Sequence, residues 1–292
     1  MARTEYSGKR GGNAGDDFHE IWAMRRALEI LAPHSTVRQV TVEGVLAEDA
    51  AGSDQAAWDG VDCAIYHGDT EGPFNRIELV QLKYSGSEPS KPWSLARLTQ
   101  SARKARNNSV IARLSEAYAA MAAKHARLAR DGKITVKLVS NQPTSAALER
   151  LLCLPPEDDE LVKIRGATNL DAADFAAFWS ALDLSELGTV GRHQLEEKLI
   201  LEIAAWEPAD TARYVEKFRV FIRNRMKPEG EGAPITVESI LGSVFNVGVQ
   251  TLFPCPNEIA KLEHLVERAI SREIIDLWHK GTTRVCLHGQ GG

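Results

Sequence analysis

The sequence is 292 residues long, 43% apolar and 26% charged, with a formal net charge of -5. These values exclude a disordered or fibrous chain and leave room for one large hydrophobic core or two smaller ones. No apolar run approaches the roughly 20 residues of a membrane span, and Met1 to Gly12 is polar and basic, without a signal-peptide core. The four cysteines, Cys63, Cys153, Cys255 and Cys286, lie too far apart for a Cys-x-x-Cys zinc site or a disulfide framework and are expected as buried thiols. The eight histidines are scattered, and none is assigned to catalysis. A cytoplasmic protein with no membrane partner is the expectation.

In chain order, a glycine-rich opening at 11–15 precedes a helix from about Asp16 to Leu31, with Asp16 or Asp17 favourable near its N-terminus. Val37 to Leu46 reads as a strand. Val61 to Tyr66 and Ile77 to Lys83 read as two more, joined by a segment dense in turn residues, so that they form a hairpin. A hairpin centred between Glu71 and Gly72 sets Asp62 opposite Gln81, and period-2 alternation puts Gln81 and Lys83 on one face with Glu78 on the other.

From Lys91 to Arg130 there are nine basic residues and one acid, Glu116, although the chain as a whole is acidic. Read as one long helix, this stretch places Arg103, Arg106, Arg113, Lys124 and Arg127 within an arc of about 120°, a stripe suited to a phosphate backbone or to a solvated helix face. Lys133 to Val139 adds a strand, and the fold class predicted is α/β, a mixed sheet flanked by helices. The run Pro155 to Glu160 marks a boundary. Beyond it come helices near 171–184, 192–206, 210–226, 236–248 and 257–279, with Trp179, Leu195, Leu199, Ile203, Trp206, Phe218, Phe221 and Leu262 at packing positions. Thr283 to His288 reads as a strand running into Gly289-Gln290-Gly291-Gly292, like the first half of a P-loop, but the Gly-Lys-Ser/Thr that completes such a loop is not present.

Asp62 and Gln81 on neighbouring strands offer a carboxylate and an amide oxygen, hard donors suited to Mg2+ or Mn2+ with water and a scissile phosphate filling the octahedron. Lys83 beside them is placed to hold the attacking water or to steady charge on the phosphorus oxygens.

Asp59-Gly60-Val61-Asp62 and Val80-Gln81-Leu82-Lys83 resemble the motifs of the PD-(D/E)xK nuclease superfamily, in the variant with Gln for the middle acid that Mrr-like restriction enzymes carry. Gly11 to Trp22 is similar to the glycine-rich opening and first helix of nuclease domains fused to bacterial anti-phage sensors, and Glu20 stands where such domains have a residue that helps the metal site. Ser140-Asn141, closing the later strand, fits the same pattern. The likeness covers roughly residues 11 to 145. Leu252 to Ile259, its helix and the glycine tail resemble the lead-in to a STAND or NACHT-type ATPase.

The resemblance implies a restriction-endonuclease-like domain over 1–155, a helical linker region over 156–280 and the start of an ATPase domain at 281–292. It implies a magnesium-dependent endonuclease effector of antiviral defence acting on double-stranded DNA, with Asp62, Gln81 and Glu20 at the metal and Lys83 assisting attack. ATP would act only through the ATPase part beyond the tail, a phage protein would be the trigger, and the intact protein would cluster as a homo-oligomer. Glu43, at the end of a strand, competes with Glu20 as third ligand. Gln81 in place of an acid favours the alternative of a nuclease-like interaction or oligomerisation module without activity.

Overall fold

Short β-rich segments separated by turns, and longer segments with apolar residues every third or fourth position, fold into a mixed five-stranded sheet with helices on both faces. The computed structural model describes residues 6–32, 34–69, 72–101, 108–189, 191–205 and 210–245, with side chains from Ala14 onward. The strands are β1 (Val37–Val42), β2 (Cys63–His67), β3 (Arg76–Lys83), β4 (Ile134–Ser140) and β5 (Leu182–Asp183), in the spatial order β1-β2-β3-β4-β5. β2 runs antiparallel to both of its neighbours, β1 and β3, β4 runs parallel to β3, and β5 runs parallel to β4.

The expected hairpin register holds, since β2 and β3 pair Cys63 with Val80 and His67 with Arg76. β3 is the central strand, buried from Ile77 to Leu82. Alternation divides it between two cores. Ile77 and Leu79 join Ala64, Tyr66, Val136 and Leu138 on one face, while Val80 and Leu82 join Cys63, Ile65 and Val139 on the other. Each of the Val, Leu and Ile side chains among them contributes about 1.5 to 3 kcal/mol by leaving water.

The first face is covered by α4 (Val110–Lys124), capped by Ser109 and presenting Ile111, Leu114, Tyr118 and Met121 at helical spacing. It is covered as well by α7 (Val162–Thr168) and α8 (Ala172–Ala181). The second face carries α1 (Tyr6–Leu28), whose Phe18, Ile21, Trp22 and Met24 are buried against it. Over α1 lie α9 (Arg192–Ala204), through Leu195, Leu199 and Ile203, and α10 (Thr211–Arg225), through Phe218, Phe221 and Ile222. The chain after Pro155 therefore supplies side chains to both cores, lends β5 to the sheet, and bridges Ile235 to Val40.

Four expectations are corrected. α1 begins at Tyr6 and runs through the glycines, so Asp16 and Asp17 do not cap it, and Asp17 pairs instead with Arg192 at 2.9 Å. The strand expected over Val37 to Leu46 ends at Val42, because Glu43 (φ 54°) and Gly44 (φ 137°) turn the backbone out of the sheet. The single basic helix is several pieces, α3 (Leu95–Thr99), α4 and α5 (Ala126–Arg130). It breaks at His125, whose non-helical φ of -120° and ψ of 55° accompany a bond to Asp49, so Arg127 on α5 does not continue the arc that Arg113 and Lys124 share on α4. Cys153 is exposed, whereas Cys63 is buried as expected. Arg103, Arg106, Trp206, Leu262, Cys255, Cys286, the helix at 257–279 and the glycine tail lie outside the described residues. No described helix is long and apolar enough to cross a membrane.

Candidate functional site

The ends of β1, β2 and β3 meet where the sequence places its acids. A turn of 3-10 helix over Gln55–Trp58, capped by Asp54, delivers Asp59-Gly60-Val61-Asp62 to the start of β2. Gly60 is required there, because a Cβ would stand 2.7 Å from Arg113 Cβ and 3.1 Å from its carbonyl carbon on α4. Asp62 leaves the regular ladder. Its N-H donates to Val80 O at 2.9 Å, its carbonyl accepts from Glu43 N at 2.8 Å, and its carboxylate Oδ2 takes the N-H of Leu82 at 2.6 Å. Glu43, Asp62 and the Val80–Leu82 stretch of β3 are thus stitched together across three strands. Asp62 Oδ1 has no hydrogen bond among the described residues.

Gln81 lies within this stretch, 1% exposed, and its Oε1 is buried without a hydrogen-bond partner. A buried carbonyl oxygen left bare costs about 1 to 3 kcal/mol, a cost that a ligand at that point would remove. Lys83, half-buried at the end of the strand, stands level with Ser140 of β4. Asn141 fixes the chain just beyond, its Oδ1 accepting from Ser85 N and its Nδ2 donating to Ser85 O, both at 2.9 Å.

The electrostatics tie four charged groups together. Burial pushes the Glu43 carboxyl up to about 7, the nearby Asp62 and Asp16 carboxylates push the same way, and Lys83 opposes them. Glu43 and Asp62, with Asp59 and Glu231, line a cleft of about 670 Å³ that has no Lys or Arg in its wall among the described residues. The indole Nε1 of Trp58, another wall residue, is buried and unpartnered. Among the described residues no three Asp, Glu, His or Cys side chains form a ready-made metal cage. Two carboxylates share the cleft, and the Gln81 amide belongs to the residue next to Leu82, whose N-H Asp62 binds; carboxylate and amide oxygens are donors matched to a hard cation that retains several waters. The bare Gln81 Oε1 and the mutual repulsion of Glu43, Asp62 and Asp16 fit such an ion.

Glu20 is engaged by Arg223. It is 5% exposed, with Oε1 accepting from Arg223 Nε of α10 at 2.6 Å and Oε2 buried without a partner. Asp16, expected only as a helix cap, enters the field of Glu43. Its signal in the sequence was its place in the same glycine-rich opening, five residues before Ile21. Of the expected phosphate-contacting residues, Arg113 packs against Gly60 beside the site, and Lys124 and Arg127 line a separate cleft.

No protein-family model matches this sequence, and no curated protein is significantly similar to it.

Proposed function

We propose that the protein is a metal-dependent nuclease, hydrolysing phosphodiester bonds of double-stranded DNA with a site of the PD-(D/E)xK type. The observations that carry the reading are that Asp62 binds the Leu82 N-H one residue from the bare amide oxygen of Gln81, and that Asp62 and Lys83 both act on the Glu43 carboxyl. Asp62 Oδ1 and Gln81 Oε1 would hold Mg2+ or Mn2+. Glu43 is the third donor favoured by its neighbours, and Glu20, bound to Arg223, supports α1 against α10. The ion supplies a water of lowered pKa and a charge to polarise the phosphoryl oxygens. Lys83 orients that water and balances the negative charge that grows on the phosphorus oxygens. The Leu82 N-H fixes the Asp62 carboxylate, so the donor set is preorganised. The reading extends to the restriction-endonuclease-like fold and to the clustering by an ATPase, under a phage trigger, that the resemblance implies.

Manganese binding followed by electron paramagnetic resonance, together with plasmid cleavage by the triggered intact protein, tests this reading. Asp62→Asn should remove both, and Lys83→Ala should leave manganese binding intact while reducing cleavage by about 10² or more. Unchanged cleavage in both variants would remove the site. Gln81 favours a second reading, an interaction module that keeps the fold without the chemistry, because an amide supplies one negative charge fewer than an acid. That module would bind no manganese.

A further inference from the structure

A second cleft, of about 760 Å³, opens beside the acidic one, and Ala47 and Gly232 contribute to both walls. The two backbones meet closely there, with Ala47 N donating to Gly232 O at 3.3 Å and a Cβ on Gly232 falling 2.9 Å from Ala47 N. The second cleft has the opposite charge. Arg38, Lys124, His125 and Arg127 line it, with Glu48 the single acid in its wall among the described residues.

The cations are built in from different elements. Arg38 of β1 lies over the Phe74 ring at 5.2 Å and is held by a bond from its Nη1 to Gly72 O at 2.5 Å. Lys124 closes α4 and donates to Ala51 O. Arg127, exposed on α5, has no partner among the described residues. His125 sits at the break between α4 and α5. Its Nε2 meets Asp49 Oδ1 at 2.7 Å, and Asp49 is 4% exposed. Asp49 Oδ2 accepts from Tyr66 Oη at 2.8 Å, and that hydroxyl accepts from Leu46 N at 3.1 Å. This buried chain consumes the Asp49 charge below the cleft floor and fixes the imidazole with Nδ1 free of partners among the described residues. A structural pin alone would account for Asp49 and His125. It does not account for three further cations, from three elements, around one concavity.

We propose that this cleft is a second binding site, separate from the acidic cleft, that takes phosphate groups through Arg38, Lys124, His125 and Arg127. The chemistry is that of a phosphate mono- or diester, so a nucleic-acid backbone and a free phosphate are both candidate sources. The adjoining wall favours the backbone, since a strand lying in the basic cleft reaches the acidic one across Ala47 and Gly232. Only that choice of source rests on the nuclease reading; the phosphate site does not.

The test is binding of a labelled DNA duplex, and separately of inorganic phosphate, to the intact protein in EDTA across a salt series. Arg38→Ala and Arg127→Ala should each lower the slope of log affinity against log salt by about one, and the double variant by about two. Lys198→Glu, an exposed site on α9 over the opposite sheet face, should change neither slope nor affinity by more than about twofold. Because binding is read in EDTA, without divalent metal, failure of the metal site leaves this result untouched. Phosphate binding that is lost in the double variant, without duplex binding, supports the site and identifies a small-molecule source. Wild-type affinity and salt slope in the double variant, for both ligands, would overturn the proposal.

Discussion

Replacing Glu43 by Gln should stabilise the metal-free protein and at the same time weaken its hold on divalent cations. The Glu43 carboxyl is pushed from 4.5 up to about 7, by burial first and then by Asp62 and Asp16. A carboxyl whose folded pKa is raised binds its proton more tightly in the folded state. Stability is therefore fully present below about 4.5 and is lost as pH rises through about 7. The full shift corresponds to roughly 3.4 kcal/mol. The Glu43 carboxyl is desolvated on its inner side while the residue as a whole is exposed, so water screens the repulsion and leaves about 1 kcal/mol. Gln keeps the shape and the left-handed turn but has no charge to lose. Urea unfolding in EDTA should then show E43Q more stable than wild type by about 1 kcal/mol near pH 8, with the difference gone near pH 5. Manganese should reverse the order by stabilising wild type through binding to the folded state. Parallel stabilities at both pH values, or equal manganese stabilisation of E43Q, would refute the reasoning.

Gly60→Ala should destabilise by about 1 to 3 kcal/mol in urea unfolding, because the new methyl meets Arg113 Cβ at 2.7 Å and helix backbone behind it. Asp49→Ala strips the partner from both Tyr66 Oη and His125 and should cost about 2 to 4 kcal/mol in the same measurement. Acid unfolding should involve Glu78, for which burial raises the pKa but is outweighed by hydrogen bonds from His67 and Lys137 and the charges of Lys137 and Arg76, setting it at about 2. The folded pKa being depressed, that stability is present above 4.5 and is lost as pH falls toward about 2. Glu78→Gln should remove this part of the acid dependence, on the order of 3 kcal/mol, in a pH series of unfolding curves.

The hairpin was legible because its signals are local: two short segments rich in β-formers and a turn rich in Gly, Asp, Pro and Asn fix the register that pairs Cys63 with Val80 and leaves Asp62 beside the end of β3. Glu20 and Glu43 could not be separated from the sequence. What separates them is Arg223, 203 residues away along the chain, which occupies Glu20. The break of the basic segment at His125 depends in the same way on Asp49, 76 residues earlier, and helix propensity carries no trace of it. The N-terminal extension of α1 through Gly11 and Gly12 runs against propensity as well, since each internal glycine costs roughly 1 kcal/mol relative to Ala. Packing against α9 and α10 anchors the C-terminal half of that helix.

The two-residue strand β5 and the Ile235 bridge to Val40 have a practical meaning for dissection of the chain. Each border of the pleated layer is hydrogen-bonded to a segment that arrives late in the polypeptide, one at Leu182–Asp183 and the other at Ile235. Cutting after Pro155 would lay both borders bare, together with the apolar undersides of α1 and α4, offering unsatisfied amides to any passing chain. A recombinant fragment designed around the hairpin alone should self-associate, and useful truncations should retain residues through Phe245.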